Sequence, residues 1–60
     1  MEGAKFVLEK DENGKFRFTL VTGNGHVVAT SRLYDTKKSA VNGIKSVRGN
    51  APDAGIEDLT

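Results

Sequence analysis

Cysteine is absent from these 60 residues, and the chain has a single histidine, His26, and a single proline, Pro52. Without cysteine there are no disulfides and no thiolate metal sites, and one histidine cannot build a zinc centre by itself. No apolar run approaches the length of a membrane span. The opening Met1-Glu2-Gly3-Ala4 lacks the basic start and apolar block of a secretory signal, so the expected location is the cytoplasm. Nine basic and eight acidic residues leave a formal net charge of +1. That balance provides no global field toward nucleic acid or an anionic membrane. One domain, residues 1–60, is all that fits. A chain this short buries only about 60% of the surface its unfolded form exposes, so it needs reinforcement. With disulfides and metals removed, a second copy of the chain is the expected reinforcement.

The chain does carry a turn signal written twice, Asp11-Glu12-Asn13-Gly14 and Thr22-Gly23-Asn24-Gly25, each between alternating apolar segments. Two successive hairpins make a three-stranded antiparallel meander. Phe6, Leu8, Phe16, Phe18 and Leu20 all sit at even positions. A two-residue loop at Asn13-Gly14 would set Leu8 against Thr19 and split this set across the sheet. A three-residue loop, with Gly14 left-handed as a bulge, sets Leu8 opposite Phe18 and Phe6 opposite Leu20. The same register pairs Glu9 with Arg17 and Asp11 with Lys15. Applied to the second turn, the template places Val28 opposite Leu20 and Thr30 opposite Phe18. Val21, Val27 and Ala29 then gather on the outer face.

From Thr36 the period changes. Ala40, Ile44, Val47 and Ala51 recur at four, three and four, one stripe of a helix. Asp35 or Thr36 is the expected N-cap. Gly49 or Asn50 is the expected left-handed terminator ahead of Pro52, giving a helix over about 37–48. Gly43 lies at the edge of the stripe, which points to close approach of its backbone to the sheet or to another chain. Ile56 to Thr60 reads as a short final strand despite the poor strand formers Glu57 and Asp58. The expected fold is α+β, a three-stranded antiparallel meander followed by one helix and a short C-terminal strand (βββαβ), paired as a homodimer.

Each chemical motif has a structural reading that outweighs it. Asp11-x-Asn13-Gly14 opens like a calcium loop but lacks the closing bidentate Glu. Gly23-Asn24-Gly25 leads into a strand, not into a helix that could hold phosphate. His26 has no evident orienting partner, and Glu57-Asp58 would point to opposite faces of a strand. The expectation is a non-enzymatic domain with no cofactor and no catalytic residue. Nucleic acid is disfavoured as a partner because the aromatic residues are assigned inward. The alternative is a nucleic-acid-binding protein that uses the basic helix surface, with Lys37, Lys38, Lys45 and Arg48 as the candidate contacts. A small enzyme with its site at the dimer seam is the remaining alternative. The candidate dimer contacts are Val21, Val27, Ala29, Gly43 and Ile56.

Several segments carry a resemblance: Lys5-Phe6, Asn13-Gly14-x-Phe16-Arg17-Phe18-x-Leu20, Asn24-Gly25-x-Val27-Val28-Ala29-x-Ser31, Tyr34, Ser39-Ala40-x-Asn42-Gly43-Ile44-x-Ser46-Val47 and Asn50-Ala51-Pro52-Asp53-Ala54. Together they resemble the YegP-like uncharacterised family, domain of unknown function 1508. The resemblance implies a small α+β unit found in prokaryotes, either as tandem repeats in one chain or as a single copy that pairs with itself. It implies no activity and hence no catalytic residue. Arg32-Leu33 departs from the acidic residue and glycine common before the tyrosine, and Gly49 interrupts what is often a basic helix end.

Overall fold

The structure, a computed structural model, describes residues 3–60. Met1 and Glu2, part of the opening segment read for a targeting signal, lie outside the described residues. Strands β1 (Lys5–Lys10), β2 (Phe16–Val21) and β3 (Val27–Thr30) form one antiparallel sheet in the order β1-β2-β3. Helix α1 (Lys37–Asn50) follows and runs into a single 3-10 turn, Ala51–Asp53.

The first hairpin has the register that the parity of the apolar residues demands, with Leu8 opposite Phe18, Phe6 opposite Leu20 and Glu9 opposite Arg17. The Asp11 carbonyl accepts the Gly14 amide at 3.0 Å, and Gly14 has φ +81°, a conformation costly for any residue with a Cβ. The second turn repeats this geometry, with the Thr22 carbonyl accepting the Gly25 amide at 2.9 Å and Gly25 at φ +91°.

Beyond that turn the expected register is corrected. Val21 faces Val27, but the next pairs are Leu20 with Ala29 and Thr19 with Thr30, so Val28 is an extra residue in a β-bulge. Leu20 is therefore opposite Ala29 instead of Val28, and Phe18 is opposite Ser31 instead of Thr30. The slip lets the Ser31 hydroxyl accept the Phe18 amide at 2.9 Å while the Ser31 amide donates to the Phe18 carbonyl at 2.8 Å. The pairing skips Arg32-Leu33 and resumes at Tyr34, whose backbone exchanges two hydrogen bonds with Phe16 at 2.7 and 2.8 Å.

Helix α1 starts at Thr36, whose hydroxyl oxygen accepts the Ser39 amide at 3.1 Å and satisfies one unpaired donor of the first turn. The expected stop at Gly49 or Asn50 is also corrected. Gly14 and Gly25 alone have positive φ among the described residues, so α1 passes through Gly49 and ends two residues beyond the expected Arg48. Asn50 contributes locally, its side-chain amide donating to the Ser46 carbonyl at 2.8 Å.

The core lies between α1 and β2. Phe6 meets Phe18 edge-to-face with centroids 5.8 Å apart, Tyr34 stacks on Phe18 at 6.1 Å, and Ala40 is fully buried. Only Phe18 and Ala40 are buried among the described residues.

The last correction concerns the C-terminus. Residues 54–60 form no strand, and Ile56 is 96% exposed and Leu59 85%. Glu57 and Asp58 are weak strand formers, and this segment pairs with no edge of its own sheet.

Candidate functional site

The polar groups that could have suggested chemistry are used locally. Asp11 Oδ1 accepts the amides of Asn13 and Lys15, both at 2.9 Å, which makes this carboxylate the internal brace of its turn. The Thr22 hydroxyl oxygen accepts the His26 amide at 3.1 Å, and the His26 side chain is exposed at the turn. Asp58 accepts the Thr60 amide at 2.9 Å and the Thr60 hydroxyl at 2.6 Å, and these bonds hold its carboxyl below the usual range. Among the described residues, no three His, Cys, Asp or Glu side chains converge into a group able to hold a metal ion. No helix among them is long and apolar enough to cross a membrane.

Two charged pairs lie on or beside the sheet, while Lys5 and Lys10 of β1 make no salt bridge among the described residues. Lys15 contacts Asp35, and Arg17 Nε lies 3.6 Å from Glu9 Oε1. The hydrogen bond and the charge of Asp35 raise the Lys15 ammonium above its ordinary value, and the same contact lowers the Asp35 carboxyl. Arg32 places its guanidinium 5.6 Å from the centre of the Tyr34 ring, and Lys10 lies 5.7 Å from that of Phe16. The four helix cations, Lys37, Lys38, Lys45 and Arg48, are exposed and make no salt bridge among the described residues.

What remains is apolar surface. Val27 and Val28 on β3 are 62% and 60% exposed, Leu33 follows them in the loop, and Ile56 and Leu59 stand on the C-terminal segment. Of the expected dimer contacts, Val21 and Val27 do pair across the sheet, and Ile56 is open to solvent. Ala29 lies opposite Leu20, and thus on the helix-facing side, because the bulge inverts the strand from Val28 onward. Gly43 is engaged within the chain: a Cβ on it would lie 2.5 Å from Tyr34 Oη and 3.1 Å from Phe18 Cε2. Parity does not locate the Val28 bulge and so does not expose Val28; Leu33 and Leu59, in the loop and the C-terminal segment, are further exposed apolar residues absent from the expected contacts. Val28 reads as inward-facing by parity, and the signal for Leu33 and Leu59 is apolar character outside the inward-facing set.

A three-stranded meander with one helix, polar groups spent on turns and apolar side chains left along one edge and a tail define a small α+β domain. Residues 11–58 match the family model described as "Domain of unknown function (DUF1508)", and the chain belongs to that family. A UPF0339 protein of Treponema denticola is 47% identical over 55 residues, covering 92% of this chain and 95% of that one. The UPF0339 protein YegP of Escherichia coli is 51% identical over 47 residues, 78% of this chain but 43% of that protein, so the chain spans less than half of the longer relative. The NMR solution structure of a protein from Haloferax volcanii, 38% identical, superposes with a TM-score of 0.84 over 98% of this chain and 100% of the other.

Proposed function

We propose that this domain is a non-enzymatic, cytoplasmic homodimeric module, in which the segment from Ile56 to Thr60 becomes a strand on a second copy. The observation that carries the reading is surface area. The chain exposes 5012 Å². A compact monomer of its mass exposes roughly 3,800 Å², about 1,200 Å² less. A standard interface removes about 800 Å² from each partner, so the excess is of the size that one association covers. The radius of gyration agrees in direction: it is 12.9 Å, against about 10 Å for a compact chain of this length.

The excess is on segments suited to pairing. β1 and β3 each leave one edge unpaired, and a tail that lies outside any strand, with exposed Ile56 and Leu59, can add to such an edge through its backbone while burying those side chains. Isologous symmetry would apply this contact twice. The E. coli relative, with more than half its length outside the match, has room for a second unit in one chain, in line with the tandem arrangement the family resemblance implies. The test is thermal unfolding over a range of protein concentrations. A dimer gives a midpoint that rises with concentration, and a midpoint independent of concentration contradicts the reading.

A further inference from the structure

The net charge of +1 conceals a division between elements. Helix α1 holds Lys37, Lys38, Lys45 and Arg48 and no acidic residue, so the rest of the chain carries five basic and eight acidic residues. Outside the helix Asp35 contacts Lys15, Glu9 lies by Arg17 and Asp11 braces its turn, while Glu12, Asp53 and Glu57 make no ion pair among the described residues. The helix cations have no such partners among the described residues.

At about 100° per residue the four cations fall within an arc of about 100°. That arc excludes the face of Ala40, Gly43, Ile44 and Val47, with Gly43 turned to the sheet. Along the axis they span about 16 Å of a helix about 21 Å long. Val41, half-buried, lies within the arc, and the neighbouring exposed residues, Asn42 and Gly49, are neutral.

We infer that this face of α1 binds the phosphate backbone of double-stranded DNA without reading its sequence. Only a partner of dense negative charge complements four unpaired cations on one rigid helix. An anionic membrane is a poorer match, because on the apolar side of α1 Ala40 is buried and Gly43 packs against Tyr34 and Phe18, which leaves Val47, 36% exposed, as the one large exposed apolar side chain of the helix. Single strands are bound by stacking on exposed aromatic rings, whereas Phe6, Phe18 and Tyr34 are packed against one another. An α-helix fits the B-form major groove, about 12 Å wide, while the A-form groove of duplex RNA is too narrow for side-chain access. The residues used are distinct from Val27, Val28, Ile56 and Leu59, so the contact is compatible with the proposed dimer and does not depend on it.

The test uses the full chain and a fluorescent 30-base-pair DNA duplex, with a duplex RNA of the same length and vesicles of anionic phospholipid as separate arms. Four phosphate contacts per chain give a log–log salt slope near −3.6, or roughly 50-fold weaker binding on going from 50 to 150 mM salt. The double variant Lys38→Glu, Lys45→Glu should weaken DNA binding by more than about tenfold. Lys5→Glu, Lys10→Glu, with the same change in net charge, should leave it within about twofold, because those residues lie outside the helix face. Circular dichroism and the unfolding midpoint verify that each variant is folded. No DNA binding at 50 mM salt overturns the proposal, as do equal losses in the two variants or tighter binding to RNA or to vesicles.

Discussion

Gly43 sits inside a helix, where replacing glycine with alanine ordinarily gains about 1 kcal/mol. Here the sign reverses. An added methyl would lie 2.5 Å from Tyr34 Oη, 3.0 Å from Tyr34 Cζ and 3.1 Å from Phe18 Cε2, and Tyr34 is held by its stack on Phe18 and its backbone pairing with Phe16. Gly43→Ala is expected to destabilise the fold by about 1–2 kcal/mol in urea unfolding, as overpacked sites do. Tyr34→Phe in the same background should recover part of this by removing Oη, the nearest clash; a stabilised Gly43→Ala would contradict the packing. Spacing alone indicated close approach at this position, because a glycine at the edge of an apolar stripe needs a reason. It could not say whether the neighbour was Tyr34 or another chain, since that depends on where the loop after β3 returns.

The Lys15–Asp35 contact gives a pH dependence whose sign follows from the shifts. The Asp35 carboxyl is lowered below 3.8 in the folded state, so its stabilisation is present above that value and lost as pH falls through the folded one. Lys15 is raised above 10.5, so its share is present below that value and lost at higher pH, above the folded one. Both groups are exposed and the effect is accordingly small. Asp35→Asn should flatten the decline in denaturant midpoint between pH 5 and pH 3; an acid limb unchanged by this substitution would show that the contact does not contribute in solution.

Among the elements, the first hairpin was the most legible because two independent signals agree: the parity of Phe6, Leu8, Phe16, Phe18 and Leu20, and the Glu9–Arg17 pair. β3 was less so. Its turn was readable from Asn24-Gly25, but Val27-Val28-Ala29 is apolar at consecutive positions and alternation cannot say which residue is extra. Side-chain capture of the Phe18 amide by Ser31 decides it, and that is a tertiary event. The end of α1 was misjudged for a related reason: Gly49 and Asn50 permit a left-handed stop, but the chain continues in helical geometry into the turn containing Pro52.

The C-terminal segment reads as a strand despite its weak strand formers Glu57 and Asp58, and it lies outside any strand in the single chain. Under the proposed dimer both facts follow from one cause, a strand whose partner edge lies on another copy. Ile56→Asp with Leu59→Asp should then yield a monomer that retains α1 and the first hairpin, as read by NMR chemical shifts and sedimentation. A variant that remains dimeric would move the contact away from the tail. One that loses α1 as well would show that the protomer fold requires its partner, as in many obligate dimers.

At the scale of the molecule, a core in which only Phe18 and Ala40 are buried among the described residues is small even for 60 residues. The surface excess of about 1,200 Å² and the radius of gyration of 12.9 Å both exceed what a compact chain of this size shows. The same scale separates two kinds of exposed surface: an apolar one on β3, Leu33 and the tail, and a basic one on α1. Membership of the DUF1508 family accounts for the fold and leaves the partners to be found from such surfaces.

Self-association is the central claim, and sedimentation equilibrium of the unmodified chain from about one to several hundred micromolar tests it most directly. The account predicts a mass of two chains over most of this range, with dissociation, if any, confined to the dilute end. A mass of one chain at every concentration would contradict it.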